Sequence, residues 1–345
     1  MTGFNDLPIE DRARRMKALA IEALVAWGVT NCEPKLLKLR ENGVFRILMP
    51  NGDPAVIRVH RAGYHSDAAL NSELQWMRAL ADGGIVAPIV YPTLAGEDFI
   101  VVRTDAVPEP RQVDVLSWVN GETFGSLDGG LDKAIARPAA EFAALGRLAA
   151  RMHNHVAGWT PPTGFIRHAW DVDGLTGEQP FWGRFWELEL LTPAQRELML
   201  KARDVTRQDL IAFGQAPEDY GLIHADLLPD NVLVDVTEMT PIDFDDAGYG
   251  WHLFDLATIT MYFIGHERFE MARDAVVAGY REVRALDDTT LSHMPLFYLL
   301  RGFTYLGWIH TRSETDTARE IAPLVIPLVC RLAEDYLAGK RWTSR

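Results

Sequence analysis

The 345 residues suffice for one large domain or two lobes, and 48% hydrophobic residues are enough to build a sizeable core. A formal charge of −14 makes nucleic acid and anionic membrane poor partners and suits a cationic or amine-bearing ligand. Cys32 and Cys330 offer neither metal-site spacing nor a disulfide framework, no apolar run reaches a membrane span, and the N-terminus has no signal-peptide pattern, so a cytoplasmic location is expected.

Residues 9–27 put Met16, Leu19, Ala20, Ala23 and Trp27 on one stripe, which predicts an amphipathic helix ending at Gly28. Strands are expected at 34–40, 44–49 and 55–60. The turn Glu41-Asn42-Gly43 separates the first two, and Pro50-Asn51-Gly52-Asp53 joins the others as a hairpin. Leu70, Leu74, Met77 and Leu80 then mark a helix over 66–81. Glu73 falls toward the apolar side of that helix, where a carboxylate needs a cation, and Arg58 in the strand AVIRVHR is the candidate. The alternative is a solvated Glu73 at the edge of the face. Three more strands are expected at 87–90, 99–102 and 113–119.

The second half reads as mostly helical. Phe142, Leu145, Leu148, Ala149 and Met152 predict a helix over 137–155, closed by His153 and His155 as cations favoured at a helix end. Residues 159–190 carry Trp159, Trp170, Trp182 and Trp186 among Asp171, Asp173, Glu187 and Glu189. These either form an irregular insert packing its rings or a cage for an ammonium group, with Asp171, Trp182 and Glu187 as acceptor-binding candidates. Further helices are expected at 269–283, 291–312 and 318–337. Arg301, in the second of these, serves either a buried ion pair or an acceptor carboxylate.

The stretch between these helical regions carries the chemistry. Tyr220–Ile223 reads as a buried strand, HADLLPDN as a polar loop, Val232–Val234 as a second strand, and a third extended piece ends at Asp243. Asn231 lies five positions after Asp226 and Asp243 seventeen after it. This spacing matches the protein-kinase catalytic apparatus, in which the first carboxylate takes or orients the hydroxyl proton and the amide and second carboxylate hold Mg²⁺ against nucleotide phosphates. Mg²⁺ takes hard oxygen ligands, and the hydroxyl needs an acceptor in line with the γ-phosphate.

HADLLPDNVLVD followed by PIDFDDAG resembles the aminoglycoside phosphotransferase, choline kinase and homoserine kinase superfamily. Ala225 and Asp245 stand where protein kinases usually have Arg and Gly, which favours the small-molecule branch. The resemblance implies an α+β, bilobal protein-kinase-like fold, with a nucleotide-binding lobe over 1–120 and a helical lobe over 121–345. It implies ATP and Mg²⁺ as cofactors, Asp226 as catalytic, and Asn231 and Asp243 on the metal. It also implies His224 and Asp255 as supports of the loop, the turn at Asn42 and Gly43 over the phosphates, and Ser117, Trp118 and Val119 at the adenine edge. Arg58 occupies the place of the family's phosphate-gripping Lys, paired with Glu73 as in kinases; Arg stays cationic but is not a spatial copy of an ammonium. The expected activity is phosphate transfer to the hydroxyl of a small, amine-bearing molecule. A protein Ser/Thr kinase and an inactive nucleotide-binding module of the same fold are the alternatives.

Overall fold

The computed structural model describes residues 4, 7–40, 42–125, 131–236 and 238–340, so Glu41 of the first expected turn lies outside the described residues. The chain divides into two compact units. The first comprises Met1–Glu122, Pro161–Ile166 and Leu233–Asp245; the second comprises Thr123–Thr160, Arg167–Val232 and Asp246–Arg345.

In the first unit, α1 (Ile9–Leu24) buries Met16, Leu19, Ala20 and Ala23, the stripe read from the sequence. The chain leaves it through Trp27 and Gly28, whose φ of 73° suits a residue without a Cβ. Five strands follow: β1 (Lys35–Leu39), β2 (Gly43–Leu48), β3 (Pro54–Val59), β4 (Phe99–Thr104) and β5 (Val107–Ser117). They form an antiparallel sheet in the order β1-β2-β3-β5-β4. The β2–β3 turn is pinned by Asn51, whose Oδ1 accepts the Asp53 N–H at 3.0 Å. Phe45, Ile47, Ala55, Ile57, Val113 and Val115 join α1 in the core. Between β3 and β4 runs α2 (Asp67–Asp82), capped by Ser66, whose Oγ accepts the Ala69 N–H at 3.2 Å.

Two expectations in this unit are corrected. Residues 87–90 are not a strand and make only an isolated bridge, Val90 to Leu116. Pro88 has no N–H to give, and the Ile89 N–H goes to the Ser117 hydroxyl at 2.9 Å instead of a ladder. Conversely, β5 begins six residues before the expected start. Pro108 and Pro110 are tolerated because the β3–β5 register ends at Val59 opposite Val113, so the prolines lie beyond that neighbour.

The chain leaves the first unit at β6 (Glu122–Thr123). The second unit contains α3 (Leu131–Ile135), α4 (Ala139–Gly158) and β7 (Ala169–Trp170). After these come α5 (Val172–Thr176), α6 (Pro193–Phe213) and β8 (Tyr220–Ile223). A short hairpin, β9 (Val232–Val234) and β10 (Met239–Pro241), leads to Asp243 in the first unit. The second unit resumes with β11 (Gly248–Trp251), α7 (His252–Thr260), α8 (Phe269–Arg281), α9 (Asp288–Leu291), α10 (Met294–Thr311) and α11 (Asp316–Leu337). The sheet here has the order β7-β11-β8, with β11 antiparallel to β8.

Helices α4 and α8 meet through glycine on both sides: a Cβ at Gly146 would lie 1.9 Å from the Val276 carbonyl oxygen, and one at Gly279 1.9 Å from that of Ala143. No other residue permits that approach. The helix α6 has no counterpart in the sequence reading, although its start carries a full capping box: Thr192 and Gln195 bond reciprocally, with Pro193 following the cap. The helix expected over 291–312 is α10, which starts three residues later at Met294 and is preceded by the short α9. Among the described residues no helix is long and apolar enough to cross a membrane.

Candidate active site

The loop after β8 is held from two sides, both within the second unit. Ala225 has a φ of 63°, a left-handed conformation that costs a residue with a Cβ about 1–3 kcal/mol. Its surroundings over-determine that conformation. From α7, the fully buried Asp255 accepts the Ala225 N–H on Oδ1 at 2.7 Å and the His224 N–H on Oδ2 at 3.1 Å. From α10, Arg301 donates to the Ala225 carbonyl at 3.2 Å. The peptide groups that introduce Asp226 are thus fixed by a carboxylate on one side and a guanidinium on the other.

Asp255 is itself oriented by His153 of α4, whose Nε2 lies 3.1 Å from Oδ2. Burial lowers the His153 pKa, so the ring is neutral, and because a carboxylate only accepts, the proton sits on Nε2. Nδ1 then accepts from the Tyr280 hydroxyl at 2.9 Å. This corrects the sequence reading of His153 as a cationic helix cap: α4 continues to Gly158, and His153 lies inside the core.

The carboxylate of Asp226 is partly exposed and each of its oxygens already accepts one bond. Asn231 Nδ2 donates to Oδ2 at 2.8 Å and to the Asp226 carbonyl at 2.9 Å. Arg301 donates to Oδ1 at 2.5 Å. With its nitrogen so committed, Asn231 has its amide oxygen as the atom available to a metal ion. Asp243, in the first unit, follows β10 with a φ of 64° and is exposed.

Of the four tryptophans in the expected ammonium cage, Trp186 lies against Arg184 and Arg203, and Trp182 against Arg301. The Arg301 guanidinium carbon lies 4.6 Å from the Tyr305 ring centroid, 5.1 Å from Trp182 and 5.7 Å from Phe254, and the side chain is fully buried. Trp182 also donates from Nε1 to Asp246 Oδ1 at 3.1 Å. Of the other acceptor candidates, Asp171 caps α5 by accepting the Asp173 and Gly174 N–H groups at 3.0 and 2.8 Å. Glu187 pairs with Arg184 at 2.5 Å.

In the first unit, Arg58 on β3 is buried with Glu73 of α2, and NH1 donates to Glu73 Oε1 at 3.0 Å. The larger share of its fork goes to Asp114, directly opposite on β5. Nε donates to Oδ1 at 2.8 Å and NH2 to Oδ2 at 2.7 Å. Burial opposes its charge, but Asp114 and then Glu73 outweigh burial and hold the guanidinium pKa well above its ordinary value. His60 adds a second cation. Burial opposes this charge too, yet Asp114, 2.7 Å from Nε2, pushes the His60 pKa up to about 9. Burial would raise the Asp114 pKa, but Arg58 and then His60 hold it down at about 2.

Asn42 accepts the Arg61 N–H at 2.9 Å and donates to Asp245 at 3.4 Å. A Cβ at Gly43 would lie 2.6 Å from Met16 Sδ, so the Met16 side chain would have to shift to admit one. At the end of β5 the Ser117 and Trp118 N–H groups go to the Ile89 and Pro54 carbonyls at 2.8 and 3.2 Å. Sequence reasoning gave no role to Asp114 or His60. The signal for Asp114 was a lone carboxylate in the apolar run Val113-Asp114-Val115, which in a central strand calls for a cation.

A model of the phosphotransferase enzyme family matches residues 36–290. The structure of a microcompartment-associated aminopropanol kinase is 32% identical, with a TM-score of 0.82 covering 94% of this chain and 99% of that one. Amicoumacin kinase of Bacillus subtilis (strain 168) is 26% identical over 309 residues, covering 87% of this chain and 86% of that protein. A structure of amicoumacin kinase in complex with AMP-PNP, Ca²⁺ and Ami has a TM-score of 0.70 at 21% identity, covering 89% of both chains. The α+β, kinase-like fold expected from the sequence is the fold of these proteins.

Proposed function

The chain belongs to the phosphotransferase enzyme family and is a small-molecule kinase, and from that premise we propose that it transfers the γ-phosphate of ATP, bound with Mg²⁺, to the hydroxyl of a short amino alcohol. The observation that carries this reading is the Asn231 Nδ2 bond to Asp226 Oδ2. One amide fixes the carboxylate that would meet the hydroxyl and leaves its own oxygen as the atom that would hold a metal ion. That amide oxygen and the Asp243 carboxylate are hard donors of the kind Mg²⁺ takes while keeping phosphate and water ligands. When bound, Mg²⁺·ATP supplies the transferable phosphoryl group with its charge screened.

The remaining work belongs to the protein. Asp226 accepts the acceptor's O–H, holding the oxygen in line. As the new P–O bond forms and the bond to the ADP oxygen breaks, the proton passes to the Asp226 carboxylate and from there to solvent. Arg58 commits three of its five N–H groups to carboxylates, leaving two for a phosphate oxygen. At the adenine edge the Ser117 and Trp118 N–H groups are taken, so Val119 supplies the backbone donor in this reading.

The acceptor's amine falls to Asp246. Trp182 links this partly exposed carboxylate to the Arg301–Asp226 pair, whereas the ring faces nearby already hold Arg301. A carboxylate beside an ammonium forms charge-assisted hydrogen bonds. The relative named as an aminopropanol kinase supports an acceptor of this size. The test is a panel of 1-amino-2-propanol, ethanolamine, homoserine, an aminoglycoside and glycerol with ATP and Mg²⁺, read by mass spectrometry. The amino alcohols should gain phosphate ahead of the others. Phosphate found only on protein, or on glycerol as readily as on the amines, would overturn the assignment.

A further inference from the structure

Arg301 lies 75 residues beyond Asp226, on a helix that carries no part of the recognised motif. Two of its nitrogens nevertheless read two consecutive residues of the catalytic loop. NH1 donates to the Ala225 carbonyl and NH2 to Asp226 Oδ1. NH2 also reaches the Tyr305 hydroxyl at 3.3 Å, which in turn donates to Tyr262 at 2.5 Å. The guanidinium plane is held among Trp182, Tyr305 and Phe254, so its direction is set before any substrate arrives.

We propose that Arg301 is a positioning residue that fixes the rotation of the Asp226 carboxylate and the left-handed turn at Ala225 that presents it. This rests on the reading of Asp226 as the group that meets the acceptor hydroxyl. The carboxylate has one bond on each oxygen, from Arg301 on one side and Asn231 on the other. Two donors on opposite oxygens leave no freedom to rotate about the Cβ–Cγ bond without losing one of them. One acceptor site on each oxygen stays directed outward for the hydroxyl. The Ala225 peptide is clamped in the same way, its N–H by Asp255 and its carbonyl by Arg301. A lysine at this position offers a single ammonium on a flexible stem and cannot hold both points in one plane. Removing the guanidinium also leaves the tyrosine hydroxyls and the carboxylate to re-pair among themselves, which turns the carboxylate away from Asn231.

The experiment compares wild type, Arg301→Lys and Arg301→Ala, with kcat normalised to the fraction that binds an ATP analogue. Misplacing a reacting group by about 1 Å costs on the order of 100-fold, so Arg301→Lys should lose roughly that in kcat. Its KM values for nucleotide and acceptor should move by less than about threefold, since no binding contact is removed. Guanidinium ion, added below denaturing concentrations, should restore part of the kcat of Arg301→Ala, and ammonium should not. A wild-type protein that phosphorylates the acceptor alongside an Arg301→Lys variant of unchanged normalised kcat overturns the proposal and leaves the proposed function standing. Failure of both variants to fold also overturns it, in favour of a purely structural arginine. If wild type modifies no small acceptor, the proposed function fails, and a crystal structure of Arg301→Lys decides the positioning role. A carboxylate turned away from Asn231 supports that role, and an unmoved one refutes it.

Discussion

Replacing Asp255 by Asn keeps the volume of the side chain but removes one acceptor oxygen from a point where three N–H groups converge. Oδ1 serves the Ala225 N–H; Oδ2 serves the His224 N–H and His153 Nε2. With the amide nitrogen at the Oδ1 position, it faces the Ala225 N–H, donor against donor. Turned the other way, it faces the His224 N–H, although His153 can switch tautomer and accept. Either orientation leaves at least one buried backbone N–H without its acceptor, at about 1–3 kcal/mol. The charge-assisted share of the surviving bonds is also lost, since bonds to a charged group are worth about 1.5–3 kcal/mol against roughly 1 for neutral ones. The site is fully buried, so water does not compensate. We expect Asp255→Asn to destabilise the folded protein by about 3 kcal/mol, read from urea unfolding followed by tryptophan fluorescence. Because the lost bonds also hold Ala225 left-handed, kcat should fall at temperatures where the variant remains folded. A change within about 0.5 kcal/mol, the range of neutral surface substitutions, would refute the bracing role.

Arg58→Met leaves Asp114 with His60 alone and removes the guanidinium from Glu73, and should cost about 3–5 kcal/mol, whereas Arg58→Lys, reaching one carboxylate, should fall between it and wild type in a thermal melt; equal melting of all three refutes the stabilising role of Arg58. His60 is held protonated up to about pH 9 against about 6.5 unfolded, so its contribution is complete below pH 6.5 and is lost as pH rises through 9, on the order of 2–3 kcal/mol. Stability measured from pH 6 to 10 should therefore fall in wild type and fall less in His60→Asn; parallel curves would exclude His60 as the cause. Asp243→Asn should weaken Mg²⁺-dependent binding of an ATP analogue while leaving metal-free binding unchanged, by calorimetry with and without Mg²⁺; equal affinities would remove Asp243 from the metal.

What the sequence disclosed was local. Asp226, Asn231 and Asp243 stand out because strand, loop and strand are contiguous, and their spacing needs no knowledge of packing. Glu73 was legible for a similar reason, as a carboxylate on the apolar side of one helix. Asp114 required the strand register: it matters because β5 lies against β3 with Asp114 opposite Arg58, 56 residues earlier. Arg301 was harder still, since Ala225 and Asp226 lie 76 and 75 residues earlier and, of its ring partners, Tyr305 alone shares its helix. Composition does not say which cation an aromatic residue meets: Trp182 lies against Arg301, whereas Trp170 packs on other rings. For α6 the local signal is the Thr192–Gln195 capping box, legible without knowledge of packing.

In the proposed function, Asp226 delivers the hydroxyl of a small amino alcohol to the γ-phosphate of ATP. Phosphorus NMR of 1-amino-2-propanol with Mg²⁺·ATP, using wild type and Asp226→Asn side by side, tests it most directly. Wild type should produce a phosphomonoester resonance in step with ADP, and Asp226→Asn should slow its appearance by about 10²–10⁴-fold with analogue binding retained. Inorganic phosphate in place of the ester, or an Asp226→Asn rate within roughly tenfold of wild type, would contradict it.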